Sequence, residues 1–180
     1  MRKSIAAIGL LAALSLAGAS LAASATHPSA DPVVAAERAF AARGSEVSVK
    51  QAFLDYAAPD GVLVDSERGA ENALASIATW PDRDNAGFIK WWPLYAGIAA
   101  SGDVGFTTGA ARYGDDIRFT NYFTIWKKQP DGSWKWLIDM GAPLESLSHG
   151  PETPVEVVPA PDVRGKYPES ARRAACQAEA

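Results

Sequence analysis

VGFTTGAARYGDDIRFTNYFTIWKKQPDGSWKWLIDM, residues Val104 to Met140, decides the fold. Two breaks, Gly114-Asp115-Asp116 and Pro130-Asp131-Gly132-Ser133, divide it into three alternating, aromatic-rich runs. Pro presets one turn dihedral and Gly tolerates positive φ, so the stretch reads as three consecutive antiparallel strands. With a four-residue loop at Pro130 to Ser133, Gln129 faces Trp134, Lys127 faces Trp136, Ile125 faces Ile138 and Phe123 faces Met140. That register predicts an inward apolar face of Phe119, Asn121, Phe123, Ile125, Trp136, Ile138 and Met140, with Asn121 its polar exception. The other face carries Tyr122, Thr124, Trp126, Leu137, Asp139 and Lys135, suited to solvent or to a second subunit.

Upstream the pattern changes to helices. Asp31 is the expected N-cap of a first helix with Pro32 at its first position, Val33, Ala36 and Phe40 as its buried stripe and Gly44 as its stop. Ser48 and Gln51 form a capping box for a second helix, whose Val49, Ala52, Phe53 and Tyr56 recur on one face. Pro59-Asp60-Gly61 reads as a turn and Val62 to Val64 as a short strand. A third helix is expected over Ala70 to Ala78, anchored by Leu74 and Ile77. Phe88 to Ala100 is strand-like, and Pro93 marks it as an edge or a bulge. Helices first and antiparallel strands afterwards predict an α+β domain, a curved sheet with about three N-terminal helices on its concave face.

The flanks are set apart. Arg2 and Lys3, the apolar run Ile5 to Leu16 and the Ala23-Ser24-Ala25 site have the layout of a cleavable secretory signal over residues 1–25. The run falls short of the roughly 20 apolar residues of a membrane span, so an exported domain, periplasmic or extracellular and not inserted in a membrane, is expected. Cleavage removes two cations from a chain of formal net charge −4, and an acidic domain is a poor partner for a nucleic-acid backbone. The domain is expected over residues 26–144. Residues 145–180, punctuated by five prolines from Pro151 to Pro168, read as a largely extended or disordered tail, with a short helix near Ser170 to Ala178. The sole cysteine, Cys176, lies in that tail, so no intrachain disulfide can form.

The element order carries a family resemblance, together with Asp60-Gly61-Val62-Leu63, Ser101-Gly102-Asp103-Val104-Gly105-Phe106-Thr107-Thr108-Gly109, Phe123-Thr124-Ile125-Trp126-Lys127-Lys128 and Gln129-Pro130-Asp131-Gly132-Ser133-Trp134-Lys135. From Pro32 to Ala142 the chain resembles the nuclear transport factor 2-like superfamily, and within it the SnoaL-like and ketosteroid-isomerase-like exported domains of unknown function. The resemblance implies a cone whose bent sheet and helices enclose a pocket. Members of the superfamily include isomerases, cyclases and dehydratases as well as ligand binders and assembly modules. Many related domains place an inward histidine near the end of the last strand; here the expected inward positions are Ile138 and Met140.

Chemistry within the domain is limited by what it lacks. His27 and His149 fall outside the periodic region, so a Cys/His zinc site, a Ser-His-Asp triad and a Cys-His pair are not expected in the fold, and no Gly-rich phosphate loop is present. Carboxylate, tyrosine, arginine and amide chemistry remain. Asn121, expected on the inward face, either orients a ligand or is a satisfied structural amide. Asp139 is expected in a surface ion pair with Lys135 or Lys127, unless the sheet bends enough to turn it into the pocket, where a desolvated carboxylate could act as a base. Asp65 either faces a ligand or caps the following segment with Ser66 and Glu67. Of the aromatic group Trp91, Trp92 and Tyr95, Trp92 is expected to point inward. Thr107, Thr108 and Tyr122 carry hydroxyls that either meet a ligand or follow simply from strand propensity, and Arg112 offers a charge to an anion or to Asp115 or Asp116.

The leading expectation is an exported pocket domain that binds a small, largely apolar molecule, dimeric through the face bearing Trp126 and Leu137. The alternative is a cofactor-independent isomerase, cyclase or lyase with Asp65 or Asp139 as base and Asn121 or Tyr122 polarising a carbonyl. An assembly module is the third. A carboxylate at a cavity would favour the enzyme, and a cavity lined only by Trp92, Phe106, Phe119, Phe123 and Ile138 would favour the binder.

Overall fold

A computed structural model describes residues 27–114 and 118–159. The signal-like segment, the expected helix near Ser170 to Ala178 and Cys176 lie outside the described residues. Helices α1 (Asp31–Glu46) and α2 (Val49–Tyr56) lead into β1 (Ala57–Asp65), β2 (Gly69–Asn72) and α3 (Ala73–Ala78). Strands β3 (Ile89–Ile98), β4 (Val104–Tyr113), β5 (Phe119–Lys128), β6 (Trp134–Leu144) and the two-residue β7 (Glu156–Val157) follow. They form one open sheet in the order β2-β1-β6-β5-β4-β3-β7. The α+β cone expected from the element order is the architecture observed.

Local signals explain most boundaries. Ser48 Oγ accepts from Gln51 N at 3.2 Å and starts α2. α1 begins differently from the expectation: Ala30 is its N-cap and makes no side-chain bond, so Asp31 lies inside the first turn. Its inward line is Val33, Glu37, Phe40 and Gly44, spaced by about one helical turn each, and Ala36 stands only half-buried beside it. Pro59 to Gly61 belong to β1, whose pairing with β6 is interrupted there, instead of forming a separate turn. The stretch Gly69 to Asn72 is a strand paired with β1, which shortens α3, and of its two expected anchors Ile77 is buried while Leu74 is exposed.

Two bulges set which side chains face the helices. On β6, Ile138 pairs with Ile125 and Phe123 with Met140 as expected, but Trp136 pairs with Trp126 because Leu137 is an extra residue. On β3, Pro93 pairs with Gly109 and Tyr95 with Thr108, so Leu94 is extra. Gly109 is required there, since a Cβ would lie 2.0 Å from Trp92 O.

Except at Trp136, which is buried as expected, the inward face is therefore the opposite of the one expected. Tyr122, Thr124 and Trp126 from β5, Trp136 and Asp139 from β6 and Thr107 from β4 are buried, whereas Asn121 is exposed. Tyr and Trp combine a large apolar body with a polar tip, so they belong as readily in a core that offers hydrogen-bond partners as on a surface. Trp126 and Trp136 are fully buried and pack with Val33, Phe40, Ala52, Leu63 and Ile77. Trp126 thus cannot form a subunit surface. The outer face instead carries Phe123, Ile125 and Ile138, all half-buried, with Phe106 and Phe123 stacked at 5.6 Å.

Residues 145–159 return along the sheet. Trp92 Nε1 donates to His149 O at 3.3 Å, Val155 packs with Ala30, Val34 and Ala96, and β7 pairs in parallel with β3.

Candidate functional site

The inward line of α1 places a carboxylate, Glu37, against the concave face of the sheet, where it is fully buried. Three donors from three strands meet it. Trp91 Nε1 of β3 donates to Oε1 at 2.7 Å, Trp126 Nε1 of β5 to Oε2 at 3.2 Å, and Thr107 Oγ1 of β4 also donates to Oε2. Trp126 Nε1 further donates to Thr107 Oγ1 at 2.9 Å, closing the network. Trp91 reaches Glu37 because Gly44 has no side chain; a Cβ there would lie 2.6 Å from the indole Cη2. Burial pushes the Glu37 carboxyl up to about 7, opposed by the hydrogen bonds from Thr107, Trp91 and Trp126.

A second carboxylate faces the same interior. Asp139 of β6 stands opposite Thr124 of β5, whose Oγ1 donates to Asp139 Oδ2 at 2.8 Å. Desolvation raises the Asp139 carboxyl to about 7, the Thr124 hydrogen bond opposes it, and the nearby Glu37 charge adds to it. Tyr122, one register step along β5, is 8% exposed, and its hydroxyl has no hydrogen-bond partner among the described residues. Burial and the charges of Glu37 and Asp139 hold the phenol well above its ordinary range, so it keeps its proton at neutral pH. Leaving such a buried polar group unpaired costs about 1–3 kcal/mol.

These three groups line one cavity of about 110 Å3 between the helices and the concave sheet. Phe40, Phe53 and Trp91 supply its aromatic wall, and Ile89, Ala111 and Met140 also border it. Engineered apolar cavities of roughly 150 Å3 hold benzene, so this one has room for a ligand no larger than one small ring. A desolvated base, a second carboxyl group and a protonated phenol around such a space can polarise, hydrogen-bond or deprotonate a small molecule.

Of the residues singled out from sequence, the structure brings Tyr122 and Asp139 together in the cavity with Trp91 in its wall, and leaves Asp65, Trp92, Thr108 and Asn121 outside. Asn121 is exposed on the outer face, a consequence of the reversed facing of the sheet. Trp92 points outward to His149 O, and Trp91 takes the inward place, since the Leu94 bulge reverses the facing within β3. Thr108 also lies on the outer face, where Oγ1 donates to Tyr122 O. Asp65 ends β1 in a local turn, accepting from Glu67 N and Arg68 N at 2.9 and 3.0 Å, and pairs with Arg68. Asp139 forms no surface ion pair with Lys135 or Lys127; Lys127 pairs with Asp60 at 3.1 Å. Glu37 was not singled out, and its signal was a lone acid inside the apolar stripe between Val33 and Phe40. Among the described residues no three His, Cys, Asp or Glu side chains cluster as metal ligands.

No family model and no curated protein matches the sequence. Solved structures do. A provisionally assigned ketosteroid isomerase from Parabacteroides distasonis ATCC 8503 superposes with a TM-score of 0.50 at 12% identity, over 61% of this chain and 86% of that one. An NTF-2 like protein of unknown function from Shewanella oneidensis MR-1 superposes with a TM-score of 0.50 at 13% identity, over 62% of this chain and 96% of that one. The chain has the nuclear transport factor 2-like, ketosteroid isomerase-like fold. One fold of this kind hosts many activities, so function has to be argued from the cavity.

Proposed function

We propose that the domain is a binding pocket for a small, largely apolar molecule, held in the cavity between α1, α2 and the concave sheet. The observation that carries it is the Tyr122 hydroxyl, buried and unpartnered beside two desolvated carboxyls in an aromatic-walled space. Native interiors rarely leave such groups unpaired, and a ligand supplies the missing partner. Native mass spectrometry of protein purified from its own host tests this, with the cavity-filling variant Ala111→Met as control. The expected result is an adduct on the wild type that is absent from the folded variant. Clean apo masses for both, whatever small molecules are added, would contradict it.

A second reading is favoured by the Asp139 carboxyl at about 7. A base works best when its pKa lies near the working pH, so Asp139 suits proton abstraction in cofactor-independent isomerase or lyase chemistry, with Tyr122 donating to the developing oxyanion. The likeness to a provisionally assigned ketosteroid isomerase agrees with that class. Deuterium uptake by small ketones in heavy water, lost in Asp139→Asn, would select this reading over simple binding.

The layout of residues 1–25 supports export of the domain. The half-buried apolar row Phe123, Ile125 and Ile138 on the outer sheet face supports self-association through that face.

A further inference from the structure

We propose that the cavity is built for a small organic cation, an alkylammonium group set against the carboxyl groups of Glu37 and Asp139 with its hydrocarbon part against Phe40, Phe53 and Trp91. This rests on the pocket reading above and names the ligand class. The first argument is electrostatic. The titratable groups lining the cavity are Glu37, Tyr113, Tyr122 and Asp139, and no Lys, Arg or His is among the lining residues. The exposed Arg118 stacks 3.9 Å from the Tyr113 ring centroid, where solvent screens it. Two carboxyl groups desolvated without a countercharge repel an anion, gain little from a neutral guest and are relieved by a cation.

The second argument is hydrogen bonding. An alkylammonium carries three N–H donors. Glu37 of α1, Asp139 of β6 and the unpartnered Tyr122 oxygen of β5 are three acceptors lining the cavity. An amine of a few carbons also matches a space of about 110 Å3, and the rings of Phe40, Trp91 and Tyr122 add favourable contact with a cation.

Three probes of one shape separate the possibilities: isobutylammonium, 2-methylpropan-1-ol and isobutyrate, titrated into the full chain. The Trp91 indole N–H, which donates to Glu37, reports occupancy in proton–nitrogen NMR spectra. At pH 8 both carboxyls are ionised, and the ammonium binds about tenfold or more tightly than the alcohol, while isobutyrate binds weakest. At pH 5 both are neutral and that preference falls towards one. Asp139→Asn loses most of the preference for the ammonium over the alcohol; the pH arm stands on its own should that variant fold poorly. Equal binding of ammonium and alcohol at pH 8, or tighter binding of isobutyrate, would overturn the inference and leave the pocket intact. No perturbation of Trp91 by any probe would remove the pocket and this inference together.

Discussion

Trp91 Nε1 lies 2.7 Å from Glu37 Oε1, fastening the first helix to the third strand across the interior of the cone. Thr107 and Trp126 complete the set of donors, so one carboxylate ties α1 to β3, β4 and β5. The same contact forms part of the cavity wall, and stability and site are therefore coupled through Glu37.

Glu37→Ala removes the acceptor for all three donors at once. Stability should fall by about 3 kcal/mol, because the Trp91 N–H and the Thr107 O–H then lose their acceptor while Trp126 keeps only Thr107. Glu37→Gln keeps one acceptor and should cost clearly less. Urea unfolding followed by tryptophan fluorescence measures both; equal stability of Glu37→Ala and wild type would show that the network does not hold the helix.

Stability should decline from pH 5 to pH 8. Glu37 and Asp139 have folded values of about 7 against ordinary values of 4.5 and 3.8. A carboxyl raised on folding stabilises fully below its unfolded value and loses that contribution as pH rises through its folded value. At about 1.4 kcal/mol per unit, each group withdraws roughly 3 kcal/mol across that window. Carboxylates lowered on folding, Asp55, Asp60, Asp65 and Asp131, act only in more acidic solution, below their ordinary value of 3.8. Thermal unfolding at pH 5 and pH 8 checks the sign: Tm should be lower at pH 8, and Asp139→Asn should flatten the difference.

Gly44→Ala should disturb the site from a distance. The added Cβ would sit 2.6 and 2.8 Å from two atoms of the Trp91 ring, and relieving that overlap moves the indole away from Glu37. Overpacking of this kind costs about 1–3 kcal/mol, more than the helix gains from replacing glycine. A shifted Trp91 indole resonance together with a lower unfolding midpoint is the expected outcome; an unchanged resonance would show that α1 yields instead.

If the domain self-associates through its outer face, Phe123→Asp should give a folded monomer by light scattering. Trp126→Asp should instead unfold the domain, because Trp126 is fully buried and donates to Glu37. An unchanged mass for Phe123→Asp would place any subunit contact elsewhere.

The strand pairing was legible in the sequence, and the facing of the sheet was not. Turn residues fixed the β5–β6 hairpin closely enough that Ile125 meets Ile138 and Phe123 meets Met140 as expected. Both faces carry bulky apolar residues, so alternation could not say which one meets the helices. The choice rests on distant partners: the Trp126 indole and the Thr107 hydroxyl point inward because Glu37, 89 and 70 residues away in sequence, is there to accept from them. The bulges at Leu94 and Leu137 each insert one residue and reverse the facing locally, which is why Trp91 took the place expected of Trp92. Asp139 was recognised as a pocket base only on condition that the sheet turned it inward. Glu37 escaped notice because acids in an apolar stripe usually sit at its solvated margin.

Asp139 and Glu37 form a desolvated pair of carboxyl groups facing one cavity. Carbon-13 NMR titration of the Asp139 side-chain carboxyl in the ligand-free protein measures this. The expected midpoint is near 7, falling in Glu37→Gln as the neighbouring charge is removed. A midpoint near the ordinary value of 3.8 would show a solvated carboxylate and contradict the cavity as described.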